Sequence, residues 1–255
     1  MLHFSSNGVD IAFIDRPAPE GAAGDPILLV HGFASNHSVN WVYPSWSTTL
    51  HRAGFRVVAL DNRGHGESQK LYEPARYASE LMAEDCRNLL DHLGIERADV
   101  MGYSMGARIT AHLALHHPDR VRSAVLGGLG IRLVDGVGLP VGIADALEAP
   151  SAEGLTDPQQ RMFRSFAEQT RSDLKALAAC MRGTRQTLTR DEAYQIGVPT
   201  LIAVGTKDDI AGSPHELAAL MPNARAFDIV GRDHNLAVGD KTYKAAVLEF
   251  LAERP

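Results

Sequence analysis

The chain opens on two short runs of β-forming residues, Leu2–Ser5 and Val9–Ile14, on either side of Asn7-Gly8. That dipeptide is a strong hairpin turn signal. After the Pro- and Gly-rich stretch Pro17–Pro26 comes Ile27-Leu28-Leu29-Val30, a continuous apolar run bounded by turn residues. Such a run predicts a strand buried on both faces of a parallel sheet. The pattern then alternates. A helical stretch over Trp46–Ala53 precedes a strand over Arg56–Leu60, and a helix over Tyr77–Leu93 stops at Gly94, a residue suited to the position just past a helix end. A strand over Ala98–Tyr103 runs straight into a helix over Met105–His116, and a further strand covers Val121–Leu126. Strands alternating with helices at this spacing imply βαβ units and a parallel sheet.

The rhythm breaks from Gly127 to about Gln195. This stretch is Gly-rich at first (Gly127, Gly128, Gly130, Gly136, Gly138, Gly142) and then predicts helices over Gln159–Gln169 and Asp173–Met181. The alternation resumes with a strand at Thr200–Val204, a helix at Pro214–Leu220, a strand at Arg225–Val230 and a helix at Thr242–Leu251. The eight strands therefore form one α/β unit, into which about 65 residues are inserted.

Composition narrows the function. The 255 residues are 45% hydrophobic and 22% charged, with Lys plus Arg at 25, Asp plus Glu at 31 and a formal net charge of −6. That balance excludes disorder and a disulfide-dense mini-fold. It also lacks the basic excess of a dedicated nucleic-acid binder. Cys86 and Cys180 both fall in helical patterns with nothing to pair them, and are expected as buried free thiols. No secretory signal is visible at the N-terminus and no run of eighteen apolar residues occurs. A cytoplasmic protein without a membrane span is expected, although a mature form trimmed of a signal would read the same. A monomer and a homodimer both fit.

The strongest local motif is Gly102-Tyr103-Ser104-Met105-Gly106. Gly-x-Ser-x-Gly arises by chance in about one chain in ten. Here, however, it falls at the seam between an apolar strand and a helix, where a sharp turn forces the serine Oγ out above the sheet edge. Serine at neutral pH needs a base, and the base needs a third group to orient it. Of eleven histidines, His234 lies best, between the last strand and the last helix. His116 and His117 end a helix beside a proline, His215 begins one, and His51 and His92 lie inside helices; all five read as solvated or satisfied side chains. The acid is expected after the preceding strand, at Asp208, with Asp209 as the alternative; Asp233 is too close in sequence to hold the His234 ring. Backbone N–H groups of Met105 and Phe33 are the expected oxyanion donors.

With these residues in place, the chain resembles the α/β-hydrolase family over nearly its whole length. Besides the Gly102–Gly106 turn, Asp61-Asn62-Arg63-Gly64-His65-Gly66-Glu67-Ser68 is similar to the family's Asp-x-Arg-Gly-x-Gly-x-Ser turn, and Gly205-x-x-Asp208 with a late His234 matches its acid and base positions. The resemblance implies a mostly parallel eight-stranded sheet flanked by helices, with a core at 1–128 and 196–255 and a helical cap at 129–195. It implies a serine hydrolase of the carboxylesterase type, in which Ser104, His234 and Asp208 form the triad and no cofactor is used. His31-Gly32-Phe33, in place of a run of three glycines, argues against the hormone-sensitive-lipase-like branch. Serine in place of an aspartate nucleophile removes haloalkane dehalogenase and epoxide hydrolase chemistry.

No His-Glu-x-x-His, Cys-x-x-Cys or EF-hand loop suggests a metal. Gly136-Val137-Gly138 lacks the third glycine of a dinucleotide loop, and Gly239-Asp240-Lys241-Thr242 lacks the glycines of a P-loop. The expected substrate is a small-molecule or polymeric ester with a neutral or apolar acyl group. C–C bond hydrolysis, enol-lactone hydrolysis or perhydrolysis would use the same triad, and a non-catalytic ligand receptor on the same fold is the reading from another class. Met162, Phe163, Phe166, Leu174, Leu177 and Met181 give the cap an apolar face, which either lines a substrate cavity or packs the cap on itself.

Overall fold

The computed structural model describes residues 1–136, 142–184 and 186–254. Eight strands form one sheet: β1 (Leu2–Ser6), β2 (Val9–Arg16), β3 (Pro26–Val30), β4 (Arg56–Leu60), β5 (Ala98–Tyr103), β6 (Val121–Gly127), β7 (Thr200–Gly205) and β8 (Ala224–Ile229). Their order is β1-β2-β4-β3-β5-β6-β7-β8. The β1–β2 and β2–β4 pairings are antiparallel, and every later pairing is parallel. At the β1–β2 turn both Asn7 and Gly8 have positive φ, 50° and 81°, the combination a two-residue type I′ hairpin requires.

The apolar runs bury both faces. Leu28 and Val30 of β3 face one core together with Val58 and Leu60, while Ile27 and Leu29 face the other with Val57 and Ala59. Helices α1 (Trp46–Arg52) and α11 (Lys241–Glu253) cover the second face through Trp46, Leu50, Tyr243 and Phe250. Helices α2 (Ser79–His92), α3 (Met105–His116) and α9 (Pro214–Ala218) cover the first.

Among the described residues five helices stand between β6 and β7: α4 (Arg132–Asp135), α5 (Ile143–Glu148), α6 (Pro158–Gln169), α7 (Leu174–Gly183) and α8 (Arg190–Gln195). Only α6 and α7 match the helices predicted there. The Gly-rich stretch is helical at α4 and α5, and Val137–Val141, including Gly138, lies outside the described residues. The apolar core of the first face continues into this insertion through Leu133, Ile143, Leu147, Leu177 and Met181. Of its buried groups, the Arg164 guanidinium accounts for one charge; it caps the last turn of α5 through the carbonyls of Ala146, Leu147 and Ala149 and pairs with Glu168 at 2.7 Å.

Tyr77–Leu93, expected as one helix, splits into a 3₁₀ turn at Pro74–Tyr77 and α2. The loop after β4 is held by a buried pair in which Arg63 Nε and Nη2 donate to Asp85 at 2.7 and 2.8 Å. Cys86 and Cys180 are buried free thiols, and burial pushes both well above the ordinary thiol range. Among the described residues, no helix is long and apolar enough to cross a membrane, and no group of three or more His, Cys, Asp or Glu could hold a metal ion.

Candidate active site

Because β3 and β5–β8 are parallel, the loops that leave them gather at one edge of the sheet. The chain crosses to opposite sides after β3 and β5, which leaves a crevice where their loops diverge, the usual ligand position in an open α/β sheet. Ser104 sits in that crevice between β5 and α3, with φ 55° and ψ −114°. A serine at positive φ stores roughly 1–3 kcal/mol of strain, held by the surrounding packing. A Cβ on Gly102 would lie 2.1 Å from Gly106 O, and one on Gly106 would lie 2.0 Å from Val30 O. The two glycines are what permit so tight a turn.

His234 Nε2 lies 3.0 Å from Ser104 Oγ, and its Nδ1 lies 2.7 Å from Asp208 Oδ2. The Asp208 side chain is fully buried, and its other oxygen accepts from the N–H groups of Ile210 and Ala211 at 2.9 and 3.0 Å. The alternative, Asp209, is exposed. Asp233 is occupied elsewhere, accepting from Asn235 and Leu236 N–H as the cap of α10 (His234–Ala237).

His234 is steadied from two sides. Tyr103 Oη donates to the His234 carbonyl at 2.6 Å. Gly205 lets Arg232 O approach to where a Cβ would be 2.2 Å away, and that carbonyl accepts from Lys207 N–H at 2.9 Å. Burial keeps the Tyr103 phenol far above its ordinary range, so it stays a donor.

The loop after β3 faces Ser104 from the opposite side. Gly32 N–H donates to Asn40 Oδ1 at 2.8 Å, and the Gly32 carbonyl accepts from His31 Nδ1 at 2.7 Å. His31 Nε2 accepts from Asn62 N–H at 2.9 Å, which fixes the tautomer with the proton on Nδ1. In a trans peptide the N–H points away from the carbonyl it shares a plane with. Holding Gly32 O therefore also sets the direction of Phe33 N–H. Neither Phe33 N–H nor Met105 N–H has a protein acceptor among the described residues. Tyr103, Asn40 and His31 were not singled out as site residues from sequence; the His31-Gly32 pair was the one readable hint.

A cavity of about 540 Å³ opens above Ser104. Met162, Phe163, Phe166 and Met181 of α6 and α7 form much of its wall, so four of the six apolar residues of the insertion face it. Leu177 is buried in the core and Leu174 packs partly against it. Five of the ten other histidines were read as solvated or satisfied: His116, His92 and His215 are exposed, His51 and His117 are half-buried, and none of the five lines the cavity.

Residues 25–145 match the family model of the alpha/beta hydrolase fold. Over 212 residues the chain is 32% identical to the dihydrolipoyllysine-residue acetyltransferase component of the acetoin cleaving system of Pseudomonas putida, covering 76% of this chain and 55% of that protein. A non-heme chloroperoxidase of Kitasatospora aureofaciens is 24% identical over 279 aligned positions, 96% of this chain and 97% of the relative. Among solved structures, the enol-lactonase of Burkholderia xenovorans LB400 superimposes with a TM-score of 0.80 at 24% identity, over 99% of this chain and 100% of that one. At that identity the likeness concerns the fold alone. The chain spans from a fifth to just over half of the length of the first curated relatives it matches. The sheet order, the turn at Ser104 and the family match agree, and the chain has the alpha/beta-hydrolase fold.

Proposed function

We propose that this chain is a serine hydrolase of carboxylic esters acting through an acyl-enzyme intermediate. The observation that carries the reading is the continuous relay from Ser104 Oγ through His234 to the buried Asp208, at 3.0 and 2.7 Å, beneath a cavity of substrate size. Ser104 attacks the ester carbonyl while His234 Nε2 takes its proton. The imidazolium then gives that proton to the leaving alcohol. Asp208 keeps the other ring proton on Nδ1 and offsets the charge that His234 gains. Phe33 and Met105 N–H, free of protein acceptors among the described residues, receive the oxyanion. Water, activated by the same histidine, releases the acid and restores Ser104.

Residues 129–195 act in this reading as a cap over the cavity, supported by the wall that Met162, Phe163, Phe166 and Met181 supply. The cavity excludes bulk water around the reacting carbonyl, which strengthens each of these polar interactions.

The test is hydrolysis of 4-nitrophenyl butyrate together with labelling by a fluorophosphonate probe. Turnover is expected, with the label on Ser104, and Ser104→Ala should lose both while retaining its fold. A folded protein showing neither turnover nor labelling would overturn the reading.

A further inference from the structure

Among the described residues three arginines are almost fully buried: Arg63, Arg108 and Arg164, at 3%, 4% and 6% exposure. Arg63 pairs with Asp85 and Arg164 with Glu168. Arg108 has no carboxylate partner among the described residues. Its Nη1 donates to Gln186 O at 2.7 Å and Leu133 O at 3.4 Å, and its Nη2 to Arg132 O at 3.1 Å. Carbonyls engage Nη1 and Nη2 but leave the charge uncompensated, and burial alone pulls this guanidinium down to about 10. Of the three it is also the one that lines the cavity over Ser104.

Arg132 lines the same cavity and makes no ion pair among the described residues, whereas no Asp or Glu among them lines it. The chain as a whole carries −6, but among the described residues its cavity presents two guanidinium groups and no carboxylate. Arg108 stands one helical turn beyond Ser104, with its N–H donating to Ser104 O at 3.2 Å. Ser104 and Arg108 line one cavity, so an anion held by Arg108 would share it with the reacting carbonyl.

We propose that Arg108, assisted by Arg132, forms a carboxylate-binding subsite, and that the substrates are esters or lactones carrying a carboxylate. The proposal rests on the ester-hydrolase reading and names its substrate class. It replaces the neutral or apolar acyl group expected from the sequence. Arginine suits the task because its planar fork meets a carboxylate with two parallel donors. The apolar walls from α6 and α7 would hold the connecting methylenes.

Monomethyl adipate and dimethyl adipate share one skeleton and differ in charge. Its two carbonyl carbons are separated by five bonds, about 6 Å when extended. Calorimetric titration of Ser104→Ala protein at low salt should show the monoester binding at least tenfold tighter than the diester. Adding Arg108→Met or Arg132→Ala should narrow that gap. Arg132 is exposed, so its variant reads the charge even if Arg108→Met fails to fold. Equal affinity for the two compounds, or a gap that survives in every folded variant, would overturn the proposal. Titrimetric assay of Ser104 protein separates the two claims. Tighter monoester binding without cleavage of either ester keeps the subsite and sinks ester hydrolysis. Cleavage of both with equal affinity sinks the subsite and keeps the hydrolase.

Discussion

Replacing Asp208 by asparagine should abolish most activity, and the structure says why a nearly isosteric change is so damaging. Asp208 Oδ1 accepts two backbone N–H bonds, from Ile210 and Ala211, while Oδ2 accepts from His234 Nδ1. An asparagine must choose. With its oxygen toward the two N–H groups it keeps both bonds but turns its NH₂ toward Nδ1. The ring must then carry its proton on Nε2 and cannot accept the proton of Ser104. In the reverse orientation the correct tautomer survives, but the NH₂ faces two buried donors. Leaving a buried polar group unsatisfied costs about 1–3 kcal/mol each, so the competent orientation lies roughly 2–6 kcal/mol above the incompetent one. That gap alone removes a factor of about 30 to 10⁴ from kcat. Loss of the charge facing the imidazolium pushes the result toward the upper end, about 10⁴. Asp208 does not line the cavity, so KM should stay close to wild type. The assay is kcat and KM with 4-nitrophenyl butyrate for Asp208→Asn beside Asp209→Asn, the latter exposed and expected within about twofold of wild type. Retention of more than a tenth of kcat by Asp208→Asn, or an equal loss in Asp209→Asn, would refute the reasoning.

Other perturbations test the scaffold. Burial pulls His31 down to about 4, and its Nε2 already accepts a backbone N–H, so the folded state refuses a proton that the unfolded chain takes up below about pH 6.5. Stability should be complete above that pH and fall by about 3 kcal/mol as pH drops toward 4. Urea unfolding at pH 7 and 4.5 measures it, and the drop should shrink in His31→Gln; an equal drop in both proteins would contradict it. Arg63→Met strands Asp85, which is 1% exposed, and should cost about 3–5 kcal/mol in urea unfolding, with activity per folded molecule unchanged. Gly106→Ala brings a Cβ to 2.0 Å from Val30 O and 2.7 Å from His31 O, both backbone, and should yield insoluble or severely destabilised protein. Gly154→Ala meets nothing within 4 Å and should change the melting temperature little.

The sheet was readable because its chemistry is repetitive. A strand buried on both faces must be apolar throughout, and Ile27–Val30 and Arg56–Leu60 announce themselves that way. The proximity of Ser104, His234 and Asp208 was readable because parallel strands bring their following loops to one edge, so position relative to the strands stands in for position in space. The insertion resisted this logic. Helix α5 starts at Ile143, capped by Gly142 with φ 95°, at the end of a Gly-rich stretch whose composition suggests irregular chain. Helix α8 did leave a mark: Thr189 and Glu192 form a reciprocal capping box, a Thr-x-x-Glu pattern visible in the sequence. Contacts across long separations left none. Tyr103 reaches the His234 carbonyl 131 positions away, and Asn40 orients Gly32 from a π-helical turn that no periodicity announces.

Arg108 marks the boundary of what such reading delivers. In the sequence it is one cation on a helix of a chain with net charge −6, where a solvated side chain is the default. What distinguishes it is what lies opposite. Arg63 and Arg164 are as deeply buried, yet each has its carboxylate within 2.7 Å and becomes part of the scaffold. Arg108 faces three carbonyls and a cavity that no acid among the described residues lines. A relay of serine, histidine and aspartate can be inferred from order along the chain because the sheet imposes that order. The sign of a pocket depends on which partners the fold withholds, and a withheld partner has no residue number.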